Sequence, residues 1–232
     1  MSNYNINGNP ALVRRMIEDE KKAEKEYLEG HPDSVEPFFE WELRELGYRF
    51  EVLSQTIGFM PKHKETILPI AIKYYQQAKY KGEKNFFMGF FHFKGFEEVI
   101  PMLLEDFYSS NPIVDRWAIG DRLYQICSKK YISDYLKIIS SPEYGVDRQM
   151  VILLVGKLKV EEAIPIFIDL LEEEDVRLHA ISALGGYKRE DFRPYFERFV
   201  NDKHPGWRKY ARAALKKLDG AKMKQQTADK ED

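Results

Sequence analysis

The chain has 232 residues, 44% of them hydrophobic and 32% charged, with a formal net charge of -2. That length and balance suit one soluble unit of one or two domains with a buried core, and the near-neutral charge argues against a general polyanion binder, which carries a strong basic excess or a segregated basic face. Cys127 is the sole cysteine, so no intrachain disulfide and no cysteine-based zinc site can form, and a reducing, cytoplasmic setting is the expectation.

Met1 to Pro10 is polar and is followed by no apolar stretch of signal-peptide length. No segment approaches the roughly 18 consecutive apolar residues of a membrane span, so no membrane partner is expected. Residues 11–29 place Leu12, Val13, Met16, Ile17, Ala23, Tyr27 and Leu28 among mixed charges. Arg14 to Glu26 holds five basic and five acidic side chains, a balance that predicts a solvated helix with weak local ion pairs. His31-Pro32-Asp33-Ser34 then breaks the chain, and Ser34 is placed to cap a helix beginning near Val35. Phe38, Phe39, Trp41, Leu43, Leu46, Phe50, Leu53 and Ile57 follow, an apolar set too dense for a purely surface helix. Residues 1–64 therefore read as an N-terminal helical cap that seals one end of what comes next.

From Glu65 a paired-helix rhythm sets in. Pro69, Pro101, Pro165 and Pro194 fall early in four first helices, with Asp134 in the corresponding place of the third unit, at intervals of 32, 33, 31 and 29 residues. Proline fits the first turn of a helix, where its missing N–H has no intrahelical partner anyway. Each of the last four second helices opens with an arginine ahead of small and aliphatic residues. These are Arg116, Arg148, Arg177 and Arg208, spaced 32, 29 and 31 residues apart. Ile119, Val151, Ala180 and Ala211 come three residues after them and Leu123, Val155, Leu184 and Leu215 seven after, so the two sets share one helical face. A period of this size marks a solenoid. No alternating β pattern of comparable length occurs. The prediction is an all-α chain: an α-solenoid of about five helix pairs over residues 65–219, more than the roughly three repeats such arrays need. Residues 220–232 lack an apolar face and are predicted to form a disordered tail.

On these residues the chain resembles the HEAT-repeat proteins, particularly the bacterial group related to phycobilisome-lyase HEAT-like repeats. The similarity covers residues 65–219. It is strongest at Glu162 to Pro165 with Asp175 to Arg177 and Ala180 to Gly185, and at Arg193-Pro194 with Trp207-Arg208 and Ala211 to Leu215. The resemblance implies a curved surface for proteins or nucleic acid; it brings no cofactor and no lyase residues. It also implies a structural place for Arg116, Arg148, Arg177 and Arg208, bonded to Asp115, Asp147 and Asp175 or to helix-end carbonyls of a neighbouring repeat. Five fixed donors suit a guanidinium to that joint.

Trp117 and Asp121, four residues apart on one helix, have the W-x-x-x-D spacing of the HEAT-like DNA alkylation repair glycosylases. There an aromatic wall and a carboxylate stabilise a developing cation. Further aromatic walls are wanting here, since the second helix two repeats on offers Ala180, Ser182, Ala183 and Leu184, so no catalytic residue is assigned. The last unit is locally basic, with Lys203, Arg208, Lys209, Arg212, Lys216, Lys217, Lys222 and Lys224 against Asp219. That cluster suits either phosphate contact or the polar outer face of a terminal repeat. Phe86, Phe87, Phe90, Phe91, Phe93 and Phe96 crowd a segment predicted to be buried between cap and array, with a hydrophobic groove as the alternative. His63, His92, His179 and His204 have no metal-ligand spacing, and no phosphate-loop, nucleophile-elbow or zincin motif occurs.

The functional expectation is a non-enzymatic scaffold binding a protein or peptide on a concave face. Trp117, Gly120, Asp121, Tyr124, His179 and Lys209 are its candidate contacts. The alternative is a DNA-binding relative of the alkylation-repair proteins.

Overall fold

The computed structural model describes residues 10–228, with backbone only at residue 221 and residues 223–228. The first nine residues, residues 229–232 and the Lys224 side chain of the basic cluster lie outside that description. All regular structure among the described residues is helical, in twelve α-helices joined by short 3-10 turns. The chain divides into two compact units, residues 1–118 and 119–232.

In the first unit, α1 (Pro10–Gly30) buries only Ile17 and carries three exposed i,i+4 ion pairs, Arg15–Asp19, Lys22–Glu26 and Lys25–Glu29. Each such pair contributes little. After the break at residues 31–34, Ser34 Oγ accepts the Glu36 N–H at 3.3 Å, and α2 (Glu36–Glu45) begins. It is shorter than its apolar run suggests. Gly47 takes φ +88°, and the amides of Gly47 and Tyr48 turn back onto the carbonyls of Arg44 and Leu43 at 3.0 and 3.1 Å, the paired closure of a left-handed helix stop. Phe50 and Leu53 consequently reach the core from irregular chain and a 3-10 turn at Leu53–Phe59. Phe39 and Leu43 are fully buried, whereas Phe38 and Trp41 remain 64% and 62% exposed and Leu46 53%. The dense apolar set is thus divided between core and surface.

α3 (Met60–Gln77), α4 (Lys81–Met88) and α5 (Ile100–Tyr108) complete the first unit up to the opening turn of α6 (Arg116–Ile126). Pro69 sits inside α3 rather than in its first turn, because α3 takes in the segment from Met60 across a non-helical His63. Two buried polar groups join these helices. The Glu83 carboxylate accepts amide N–H groups from Val35 at 2.6 Å, Lys79 at 2.9 Å and Tyr80 at 3.2 Å, satisfying donors near the starts of α2 and α4 that have no intrahelical partner. Lys84, nearly buried, pairs with Asp106 at 2.9 Å and lies 3.9 Å above the Tyr75 ring. The phenylalanine segment is helical only to Met88 before it passes into a 3-10 turn. Phe87, Phe90, Phe91 and Phe96 are buried, with Phe39 standing edge-on to Phe87 and Phe90 at 5.1 and 5.3 Å.

In the second unit, α7 (Ile132–Ser140), α8 (Gln149–Leu158), α9 (Ile164–Leu170), α10 (Glu174–Tyr187), α11 (Arg193–Glu197) and α12 (Pro205–Ala228) follow the rest of α6. α10 packs against both α8 and α12. Pro165 and Pro194 open α9 and α11 in their first turns, as Pro101 opens α5. The helix α12 continues past Gly220, where composition predicts an unstructured tail.

Each recurrent arginine grips backbone carbonyls at the end of the first helix of its own pair or in the loop that follows it. Arg116 donates to Phe107 and Ser109, Arg148 to Ile139 at 2.9 Å and Gly145 at 3.3 Å, Arg177 to Leu171 and Glu172, and Arg208 to Asp202 and Lys203. These carbonyls belong to the arginine's own pair, where the resemblance implies a neighbouring repeat, and Asp115 is engaged with the Ala118 amide and with Lys81. Arg148 is the deepest, 1% exposed, and adds an ion pair to Glu173. A second recurrence follows eleven residues after three of these arginines, where Cys127, Lys159 and Lys188 all adopt left-handed backbone with φ of 59°, 58° and 58°.

Glycine sets how closely the second helices approach. A Cβ on Gly156 would lie 2.6 Å from the Ala183 Cβ, and one on Gly185 2.8 Å from the Ala214 Cβ. Gly156→Ala should therefore lower stability by about 1–3 kcal/mol through overpacking, although alanine is the better helix former. Gly220→Ala, with nothing within 4 Å of the added methyl, should leave stability unchanged or raise it; urea unfolding of the two variants checks the contrast. Arg148→Met leaves two carbonyls and Glu173 without their donor and should cost about 3 kcal/mol or more, seen as a lower urea midpoint at unchanged slope.

Candidate functional site

A small cleft of about 150 Å³ opens in the second unit where the end of α8 meets α10. Tyr124, Leu153, Gly156, Lys157, Lys159, Ser182, Ala183 and Gly186 line it. Its floor is small because the close approach of Gly156 to Ala183 allows nothing larger. Lys159 follows the last residue of α8 in left-handed conformation, which turns its side chain back across α10. Its ammonium lies 4.9 Å from the Tyr187 ring and fills the space a side chain at Gly186 would need, 2.8 Å from where such a Cβ would stand. Lys157 reaches the other wall, 4.2 Å above the Tyr124 ring, and donates to the Tyr124 carbonyl at 3.2 Å.

The cleft is electropositive. Burial holds the Lys159 ammonium below the ordinary lysine value, and the charges of Lys188 and Lys217 push in the same direction against the single opposing carboxylate, Glu161. Glu161 is itself paired with Arg189 at 3.0 Å. Like charges gathered at a partly buried spot disfavour one another, so an incoming anion would relieve the repulsion among them. Among the described residues no cluster of three His, Cys, Asp or Glu side chains is disposed to hold a metal.

The candidate contacts read from the sequence are distributed differently. Tyr124 lies in the cleft wall. Gly120 does not reach a partner-accessible surface: it is buried, and a Cβ there would meet Met150 at 3.2 Å, so its smallness serves helix packing. Asp121 is part-buried and 3.5 Å from Arg122. Trp117 belongs to the first unit and is 43% exposed. His179 is half-buried on α10, where burial lowers its pKa and its Nδ1 has no hydrogen-bond partner. Lys209 is exposed on α12. Two charges of the basic last unit are engaged locally, since Arg208 and Arg212 both donate to backbone carbonyls.

Lys157, Lys159 and Lys188 escape a reading of the sequence. Basic residues are ordinary at helix C-terminal ends, and only the left-handed turns that redirect Lys159 and Lys188 set these two apart. The chain matches no protein-family model and no curated protein.

Removing charge from the cleft has an effect on stability that can be measured directly. Because Lys159 titrates low in the folded state, its charge opposes folding wherever it is protonated, and the opposition fades as pH rises through its folded pKa. Lys159→Gln should accordingly raise the melting temperature at pH 7 slightly, and the difference from wild type should shrink toward pH 10, as followed by circular dichroism.

Proposed function

We propose that the chain is a non-enzymatic, HEAT-like solenoid adaptor whose second helices present a recognition face to a protein or peptide, and that the face takes an acidic segment. The observation that carries this reading is the lysine-lined cleft between α8 and α10. Lys157 and Lys159 line it, the charges of Lys188 and Lys217 act on Lys159, and among the described residues no ion pair engages any of the four. The recurrent arginines support it indirectly: since their guanidinium groups hold helix ends together, the charge left for a partner is the lysine charge. Tyr124 supplies a ring for apolar contact beside the ammonium groups, the combination of aromatic anchor and polar rim found at protein interfaces. A cleft this small accepts one or two side chains, so affinity must come from an extended segment lying along neighbouring helices.

A fluorescein-labelled peptide alternating glutamate with leucine and tyrosine tests this by anisotropy. Saturable binding is expected, weakened by salt, and reduced about tenfold or more in the Lys157→Glu, Lys159→Glu double variant, a loss of about 1.4 kcal/mol. Lys21→Glu, in the first unit, should bind as wild type. Equal binding of a lysine-rich peptide would contradict the proposal, as would tighter binding of duplex DNA, which would point to a nucleic-acid partner.

A further inference from the structure

The first unit contains a separate and larger cavity, of about 380 Å³, between α1, α2, the turn at Leu53–Phe59 and the start of α4. That volume falls within the range of small-molecule sites, about 300–1,000 Å³. Its walls are mainly apolar, from Ala23, Leu53, Phe86 and the Tyr27 ring, yet Glu20, Glu24 and Glu36 all border it and no lysine or arginine does.

The polar groups here are poorly matched by the protein itself. Among the described residues the Glu36 carboxylate makes no hydrogen bond or ion pair, and the charges facing it are Glu24 from α1 and Glu83 from α4, both negative. Burial first, and then these neighbours, push its carboxyl up to about 7. Glu24 is raised in the same way by burial and by Glu40 and Glu20, with Arg44 and Lys21 opposing. The Tyr27 hydroxyl oxygen is buried with no side-chain partner, only the Glu83 backbone amide beside it, while His31 stacks on its ring at 4.1 Å. A buried polar group lacking a partner is uncommon in a native fold. Here the unpartnered Glu36 carboxylate and a phenol with no side-chain partner border one cavity.

We propose that this cavity binds a small organic ammonium ion, its charged head between Glu24 and Glu36 with the Tyr27 hydroxyl as a further acceptor, and its apolar body against Leu53 and Phe86. An ammonium group supplies the positive charge the carboxylates lack and the donors that both they and the phenol oxygen can accept. The Phe86 ring, half-buried on the same wall, adds a face attractive to a cation. A bare metal ion fits less well, because no group of three His, Cys, Asp or Glu side chains among the described residues is arranged to coordinate one, and the apolar walls would remain unused.

The full-length protein can be titrated with 2-phenylethylammonium, its neutral counterpart 2-phenylethanol and calcium ion, following amide and methyl resonances of residues 20–36, 53 and 86 by NMR. Saturable shifts at these residues are expected for the ammonium, with at least about tenfold weaker binding of the alcohol and no competition by calcium. Glu36→Gln should weaken the ammonium about tenfold while keeping the wild-type spectrum elsewhere, since it neutralises a carboxyl that burial and Glu83 already push toward its neutral form. Affinity should fall as pH drops below about 7 in the wild type and fall less steeply in Glu36→Gln, where the remaining dependence is that of Glu24. Tyr27→Phe should weaken binding without altering the pH profile. The proposal is overturned if the alcohol binds as well as the ammonium, if calcium displaces it, or if no saturable shift appears up to about 10 mM, the weak limit for a site with any specific charge pairing.

Discussion

Hydrogen bonds from a guanidinium to the backbone carbonyls between two successive helices recur in every pair of the second half of this structure. α7, α9 and α11 have nine, seven and five residues, too few for a helix to persist unaided, since isolated helices shorter than about 12–15 residues are marginal in water. Their final carbonyls have no intrahelical donors; Arg148 and Arg177 donate at the ends of α7 and α9, and Arg208 donates to Asp202 and Lys203 in the loop beyond α11. The same bond fixes the angle at which the chain turns, because the planar fork of the guanidinium engages two carbonyls or a carbonyl and a carboxylate at once. Helix pairs closed in this way can then pack second helix on second helix, with Gly156 and Gly185 allowing the close approach.

This division of labour shapes what is left for function. Four arginines at regular spacing resemble a binding stripe until their partners are known: backbone oxygens engage all four, and Arg148 pairs with Glu173 as well. Among the lysines near the ends of α8 and α10, Lys157 donates to one carbonyl, and among the described residues no ion pair holds any of them. Two of them stand in left-handed turns, where a non-glycine residue costs about 1 kcal/mol, and one of the two, Lys159, is directed over a glycine on the adjacent helix. The first unit follows another principle. Its buried charges, Glu83 and Lys84, are satisfied within the fold, whereas the Glu36 carboxylate at the α1–α2 cavity makes no hydrogen bond or ion pair among the described residues.

The helical class and the pairing of helices are legible in the sequence because they rest on local signals: proline at the start of α5, α9 and α11, arginine just before or within the first turn of α6, α8 and α10, and aliphatic residues at a helical period. Three features are not. The apolar run from Phe38 to Ile57 predicts one long buried helix, but Gly47 ends α2 after ten residues and leaves Phe38 and Trp41 on the surface; composition does not reveal which apolar residues face outward. Gly120 falls among the candidate contacts through its neighbours in sequence, while its role is set by Met150, thirty residues away. The lysine cleft depends on backbone handedness at Lys159 and Lys188, which a single lysine in a sequence does not announce. The partners of the arginines are within reach of chemistry, though not the choice between a carbonyl of the same pair and a neighbour's carboxylate.

The most direct test of this division between arginine and lysine is nitrogen-15 NMR of both kinds of side chain during titration with the acidic peptide. Resolved, slowly exchanging Nε–H signals are predicted for Arg116, Arg148 and Arg177, unmoved by the titration, together with progressive shifts of the Lys157 and Lys159 ammonium signals. Arginine signals averaged by rapid exchange with water, or shifting with the peptide while the lysines stay fixed, would contradict it.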